Sequence, residues 1–155
     1  MDGELYGMEL TEAGYTLTDE RNRVDLDAVC RLLASTYWAG RRSREHIATS
    51  IRNSLCFSVF QKSLQVGFAR VITDQSTHGY LCDVVLDEAH RGKGIGQTLL
   101  KFILDHPQLR TCRIDLFTRD AQGFYEPFGF GPHRFECLVR YPPDYAGGNT
   151  SSTAS

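Results

Sequence analysis

Residues Arg91 to Gln97 read RGKGIGQ, three glycines interleaved with two cations, and lead into the apolar run TLLKFIL. Ile95, Leu99, Phe102 and Ile103 recur at i, i+4, i+7 and i+8, the apolar face of a helix that Pro107 ends. The glycines therefore open a helix, at about Gly94. N–H groups at a helix start lack intrahelical acceptors and carry partial positive charge, and glycine lets an anion approach with no Cβ in the way. Arg91 and Lys93 add full charges. The chemistry indicated is retention of a phosphate or pyrophosphate. Without a ligand, the same residues read as a glycine-rich turn with two solvated cations.

Spacing removes two familiar phosphate motifs. A P-loop requires Gly-Lys-Ser/Thr, whereas Lys93 is followed by Gly94 and Ile95, so nucleoside triphosphate hydrolysis is not expected. A dinucleotide fingerprint requires G-x-G-x-x-G, and Gly96 comes one place early after Gly92 and Gly94.

Several elements must position this loop. YTLTDE from Tyr15 reads as a first strand. VDLDAVCRLLASTYW places Leu26, Val29, Leu32, Leu33 and Tyr37 at helical spacing. A second helix starts after Ser43 as N-cap, buries Ile47 and Ile51, and ends near Asn53. LCFSVFQ and LQVGFARVITD are rich in β-branched and aromatic residues and flank the polar Lys62-Ser63, which predicts an antiparallel hairpin. HGYLCDVVLD is the fourth strand and feeds the glycine loop. After the third helix come CRIDLFT as a fifth strand, DAQGFYEPFG as a short broken helix, and FECLVRY as a last strand. The order β-α-α-β-β-β-α-β-α-β predicts an α+β fold: a mixed, mostly antiparallel sheet of about six to seven strands with helices on both faces.

The 155 residues suffice for one core of ordinary size. A hydrophobic content of 41% excludes a disordered chain, and a net charge of −2 provides no basic field for nucleic acid or anionic membrane. Residues 1–13 read as an N-terminal extension, 14–142 as a single domain, and 143–155 as a flexible tail. Five cysteines at positions 30, 56, 82, 112 and 137 show no C-x-x-C pair and no histidine at ligand spacing, so free thiols and no metal site are expected. The N-terminus has no signal-peptide pattern and no apolar run approaches a membrane span, so a cytoplasmic chain is expected.

VVLDEAHRGKGIGQTLL resembles the acetyl-CoA-binding motif of the GNAT family of N-acetyltransferases, R/Q-x-x-G-x-G/A, with Arg91, Gly94 and Gly96 in its fixed places. DAQGFYEPFGF resembles the family's second signature through Tyr125 and Gly129-Phe130. The resemblance runs from about Tyr15 to Tyr141 and implies an N-acetyltransferase that moves acetyl from acetyl-CoA to a primary amine of a small molecule or peptide. A CoA-binding module without catalysis, or an unrelated nucleotide-phosphate binder, are the alternatives. The resemblance further implies a V-shaped opening between the fourth and fifth strands. There a bulge frees backbone groups of Val84, Val85 and Leu86 for the pantetheine, and the N–H groups of Arg91, Gly92, Lys93, Gly94, Ile95, Gly96 and Gln97 hold the pyrophosphate. Glu88 stands where members commonly have proline. A homodimer is implied by the same analogy.

Acetyl transfer to an amine needs a neutral amine, a donor for the developing oxyanion, and a hydrogen bond or proton for the departing thiolate. The resemblance assigns the last task to Tyr125. A phenol of pKa about 10 is a weaker acid than a thiol of about 8.5, so a hydrogen bond to the sulfur is the safer role. For the oxyanion, the resemblance implies a backbone N–H in the bulged part of the fourth strand, near Val85. Asp83 is the only carboxylate within the fourth strand, flanked by Cys82 and Val84, where an unpaired charge is costly. It reads equally as a base acting through water and as a structural ion pair, with Asp115 a weaker alternative. His78, His90 and His106 lie near loops without partners at fixed spacing and read as surface residues, with His90 a candidate to touch the cofactor's phosphates. Trp38, Arg41, Arg42 and Arg44 form either a solvated basic turn or a cover over the acceptor, in which case the acceptor carries a carboxylate or phosphate.

Overall fold

Segments LCFSVFQ and LQVGFARVIT alternate side chains between two faces, and both faces are buried. They form the antiparallel pair β3 (Leu55–Gln61) and β4 (Leu64–Thr73), joined at Lys62-Ser63 as the polar break predicts. The computed structural model describes residues 7–145. Around this pair lie β1 (Glu9–Glu12) and β2 (Tyr15–Thr18) on one side, and β5 (His78–Leu86) and β6 (Arg113–Asp115) on the other. The six strands stand in chain order; every pair is antiparallel except β5 and β6, which are parallel and joined through α3 (Ile95–Leu104). This is the mixed, mostly antiparallel sheet expected.

Helices α1 (Leu26–Ala34) and α2 (Arg44–Arg52) are capped by Asp25 and Ser43, whose side chains accept from the N–H groups of Ala28 and His46. Their apolar stripes meet one face of the sheet: Val29, Leu32, Leu33, Ile47 and Ile51 pack with Cys56, Phe68 and Val85. Phe57, next to Cys56 and so on the opposite face, meets the α3 side, with its ring 6.1 Å from Phe102 edge to face. Each buried aliphatic or aromatic side chain here contributes about 1.5–3 kcal/mol.

Two sequence expectations change. Residues read as an extension include β1, which pairs with β2 through a two-residue turn, Ala13-Gly14, both at positive φ. All four β1 residues are exposed, so no alternation marks them. FECLVRY is not a strand: the residues from Phe135 to Tyr141 are exposed and take no regular structure. The alternation is present, but a strand needs a neighbouring edge to satisfy its backbone, and none pairs with this segment among the described residues.

The chain divides after Ala121 into two compact units. The second begins with α4 (Gln122–Tyr125), followed by a turn at Glu126–Phe128 that Gly129 closes at φ 89. The residues from 146 onward, which include most of the expected tail, lie outside the described residues.

Candidate active site

Pairing between β5 and β6 stops at Tyr80 and Asp115, while β5 continues to Leu86. From Leu81 onward that edge of β5 has no strand beside it among the described residues, so the sheet opens there. On its other side β5 is broken by a bulge: Phe68 pairs with Val85 and Arg70 with Cys82, leaving Ala69 opposite Asp83 and Val84. Asp83 supplies the irregularity with φ 54, a left-handed conformation that disfavours most side chains by about 1–2 kcal/mol and that Asp tolerates better than most. The extra residue reverses the alternation, so Cys82 and Val85 face the same layer, that of α1 and α2.

The Asp83 carboxylate is saturated. Arg42 Nη1 donates to both oxygens at 2.9 and 2.7 Å, Arg70 Nε donates to Oδ2 at 2.7 Å, and Trp38 Nε1 donates to Oδ1 at 3.3 Å. Asp83 is 4% exposed and Arg70 8%. Arg70 Nη1 continues to Ser54 Oγ at 3.1 Å. A carboxylate offers about four lone-pair sites, and these four hydrogen bonds use them. Burial acts to lower the Arg70 pKa, but at the high pH where a guanidinium titrates the Cys82 thiolate and the Asp83 carboxylate outweigh it and hold the guanidinium above its ordinary value. Burial also pushes the Cys82 thiol up to about 12 and the Cys56 thiol to about 11, so neither is a nucleophile at neutral pH.

At the far end of β5, Asp87 caps a short turn, Glu88–His90, by accepting from Ala89 N–H, and its own N–H donates to Val66 O at 2.8 Å. Arg91 Nε donates to Leu86 O at 3.1 Å, turning the loop back on the strand. Gly92 and Gly94 then take φ values of 74 and 80, and a Cβ at either would meet no atom within 4 Å. Conformation, not crowding, demands glycine here, and the space above the backbone is open. No side chain caps Gly94, and the first helical hydrogen bond runs from Thr98 N–H to Gly94 O at 3.2 Å. The N–H groups of Ile95, Gly96 and Gln97 therefore have no intrahelical acceptor, the donor set a pyrophosphate requires. Gly96 lies within the first turn of α3.

The basic turn divides. Arg42 is committed to Asp83 and Arg44 to Asp27, so two of its three arginines already have carboxylate partners in this chain. Tyr37 and Trp38 sit edge to face at 5.0 Å, and the Arg119 guanidinium lies 3.9 Å over the Tyr37 ring. His106, read as a surface residue, is 4% exposed: its Nε2 meets Asp19 Oδ2 at 2.8 Å, tying the end of α3 to the strand β2 that precedes Asp19. His78 is half-exposed against Asp115 at 2.6 Å. Tyr125, in the second unit, is half-buried among aromatics, with Phe124 at 4.9 Å and Phe130 at 5.6 Å. The Arg70 partner of Asp83 was missed from sequence. Its signal is a single cation within the apolar run GFARVIT, one strand away from the single carboxylate of β5. Among the described residues no group of three or more His, Cys, Asp or Glu side chains could hold a metal ion, and no helix is long and apolar enough to cross a membrane.

Comparisons with known proteins converge. A family model described as an acetyltransferase (GNAT) domain matches residues 52–132, more than half of the 155. A crystal structure of a GNAT-family protein from Xanthomonas campestris pv. campestris is 34% identical, covers 86% of this chain and 96% of its own, and superposes with a TM-score of 0.81. A protein of Gibberella zeae named as an acetyltransferase is 29% identical over 139 residues, 74% of this chain and 77% of its own. Glucosamine-6-phosphate N-acetyltransferase from Arabidopsis thaliana shares the fold at a TM-score of 0.59 and 16% identity, over 83% of this chain and 99% of its own.

Proposed function

From the premise that this chain belongs to the GNAT acetyltransferase family, we propose that it transfers an acetyl group from acetyl-CoA to a primary amine of a small molecule or peptide. The observation that carries this reading is the continuity of two features on one stretch of chain. Among the described residues β5 has an unpartnered edge from Leu81 to Leu86, and nine residues on from Leu86 the uncapped start of α3 at Ile95 exposes its N–H groups beside two glycines at positive φ. An extended arm ending in a pyrophosphate matches that sequence of donors: strand-like pairing for the pantetheine amides, then a helix start for the phosphates.

In this reading the N–H groups from Arg91 to Gln97 hold the pyrophosphate, with Arg91 and Lys93 supplying charge. Backbone groups of Val84, Val85 and Leu86 align the pantetheine, and the Val85 N–H polarises the thioester carbonyl. The amine nitrogen attacks that carbon, the C–S bond breaks, the sulfur leaves as thiolate with a hydrogen bond from Tyr125, and the amine's surplus proton passes to solvent. Asp83 does not take that proton, because all its acceptor positions are filled. It holds Arg42, Arg70 and Trp38 against the bulge. Two guanidiniums against one carboxylate leave one positive charge in excess beneath the bulge. A nearby cation lowers the pKa of an ammonium and so favours the neutral amine that must attack.

The test is release of free CoA thiol from acetyl-CoA over time with a mixed panel of primary amines, together with calorimetric titration of CoA, ATP and NAD. Turnover with any amine supports the reading. Tight CoA binding with no turnover on the panel favours a CoA-binding module. Binding of ATP or NAD in preference to CoA overturns it.

A further inference from the structure

Tyr15 and His90 are 75 residues apart in sequence and meet in the fold: Tyr15 Oη lies 2.7 Å from His90 Nδ1, and the rings cross edge to face with centroids 5.5 Å apart. Tyr15 is 4% exposed, and Nδ1 is the hydrogen-bond partner its hydroxyl has among the described residues. If the hydroxyl accepted from an Nδ1–H, its own proton would be buried without an acceptor. Donating to Nδ1 satisfies it. Neutral His90 then carries its proton on Nε2, the tautomer being set by what the other nitrogen accepts. No buried side-chain nitrogen or oxygen among the described residues lacks a partner, and Nε2 makes no hydrogen bond there, so it faces solvent.

His90 closes the Glu88–His90 turn and is followed directly by Arg91, at the mouth of the glycine loop. Of the two acidic residues just before it, Asp87 is turned away to cap Ala89 N–H at 3.0 Å, and Glu88 is exposed in the turn. We propose that Tyr15 fixes His90 as the Nε2–H tautomer and that this N–H donates to a phosphate of bound CoA, which makes Tyr15 a positioning residue for the phosphate loop. The proposal rests on the acetyl-CoA reading above. It also gives β2 a task beyond completing the sheet, since the strand carries the hydroxyl that orients a donor beside the glycine loop.

The test compares CoA with pantetheine, which keeps the thiol arm and lacks every phosphate, by titration of the full chain. His90→Phe should weaken CoA binding about fivefold to tenfold, as loss of one hydrogen bond to a charged acceptor predicts, and Tyr15→Phe about twofold to fivefold. The double variant should be no weaker than His90→Phe, because both act through one contact. Pantetheine affinity should stay unchanged throughout, and His90→Gln, which restores an N–H donor, should recover CoA affinity to within about twofold of the wild type. A loss shared by 3′-dephospho-CoA supports the contact at the pyrophosphate, and a loss confined to CoA supports it at the 3′-phosphate. Unchanged CoA affinity in a folded His90→Phe overturns the proposal, as does an equal loss of CoA and pantetheine, which would make the pair merely structural. If His90→Phe does not fold, Tyr15→Phe and His90→Gln carry the same comparison. Unchanged CoA affinity in His90→Phe with CoA still bound more tightly than pantetheine overturns this inference alone, whereas a wild-type chain that binds CoA no better than pantetheine, or binds neither, overturns the proposed phosphate site as well.

Discussion

Asp83→Asn separates an anchoring carboxylate from a catalytic base. Asn keeps the shape of the side chain and tolerates the φ of 54 nearly as well, so the change removes charge without adding backbone strain. The Asp83 side chain is 1% exposed and that of Arg70 is 9%, so the pair between them is buried, whereas Arg42 at 30% is partly screened and contributes less. Removing one member of a buried pair costs about 3–5 kcal/mol. Asn still accepts from one N–H group, so we expect the lower end, about 3 kcal/mol, and a fall in melting temperature of about 6–12 °C for a chain of this size. Urea unfolding at pH 7 measures it, with Arg70→Met as the reciprocal variant. The double variant Asp83→Asn/Arg70→Met should be more stable than the sum of the two losses predicts, because no unpaired buried charge remains. Assayed well below its melting temperature, Asp83→Asn should lose less than about tenfold in kcat/KM and keep the shape of the pH–rate profile. Loss of a general base removes about 10²–10⁴-fold. Wild-type stability combined with a loss of that size and a vanished basic limb would refute the anchoring assignment.

Three further outcomes follow from the same geometry. Gly94→Val, at φ 80, should destabilise the loop by about 1–2 kcal/mol and weaken CoA at least tenfold in titration calorimetry, since both the left-handed conformation and the open approach are lost. Tyr125→Phe should leave CoA affinity unchanged and lower kcat, which steady-state kinetics with saturating acetyl-CoA would resolve; an unchanged kcat would remove Tyr125 from the chemistry. Asp74 accepts from the Thr77 hydroxyl and from the N–H groups of Thr77, Ser76 and His78, and these hold its carboxyl well below its ordinary value of 3.8. With the folded value depressed, its contribution is full above about pH 4 and is lost as pH falls further, so Asp74→Asn should flatten the acid limb of stability in urea midpoints between pH 4 and pH 2.

Strands and helices that bury one face announce themselves by period. The α1 stripe at Val29, Leu32 and Leu33 and the α3 stripe at Ile95, Leu99, Phe102 and Ile103 are legible because each face meets a core. β1 has no such mark: ELTE is exposed throughout and exists because a two-residue turn holds it to β2. FECLVRY fails in the other direction. Its alternation satisfies the local rule for a strand, but local preference needs a neighbouring edge, and pairing is a property of the fold.

The same division runs through the candidate site. The glycine loop is legible because its features are local: consecutive N–H groups, two glycines at positive φ and a following helix all lie within a few residues of Arg91. The Asp83 cluster is assembled from Trp38, Arg42, Arg70 and Asp83, up to 45 residues apart, and no spacing rule joins them. Sequence showed that Asp83 needed a partner; the fold supplies three. That changes what the arginine-rich turn means for substrate. Arg42 and Arg44 are held by carboxylates of this chain, so an anionic acceptor would have to displace a partner already in place, at the cost of stranding Asp83 or Asp27. At Asp83, buried with Arg70, that cost is high; at Asp27, exposed beside Arg44, it is small. Selection for an anionic acceptor, if present, therefore falls to Arg41 and Arg44 and not to Arg42.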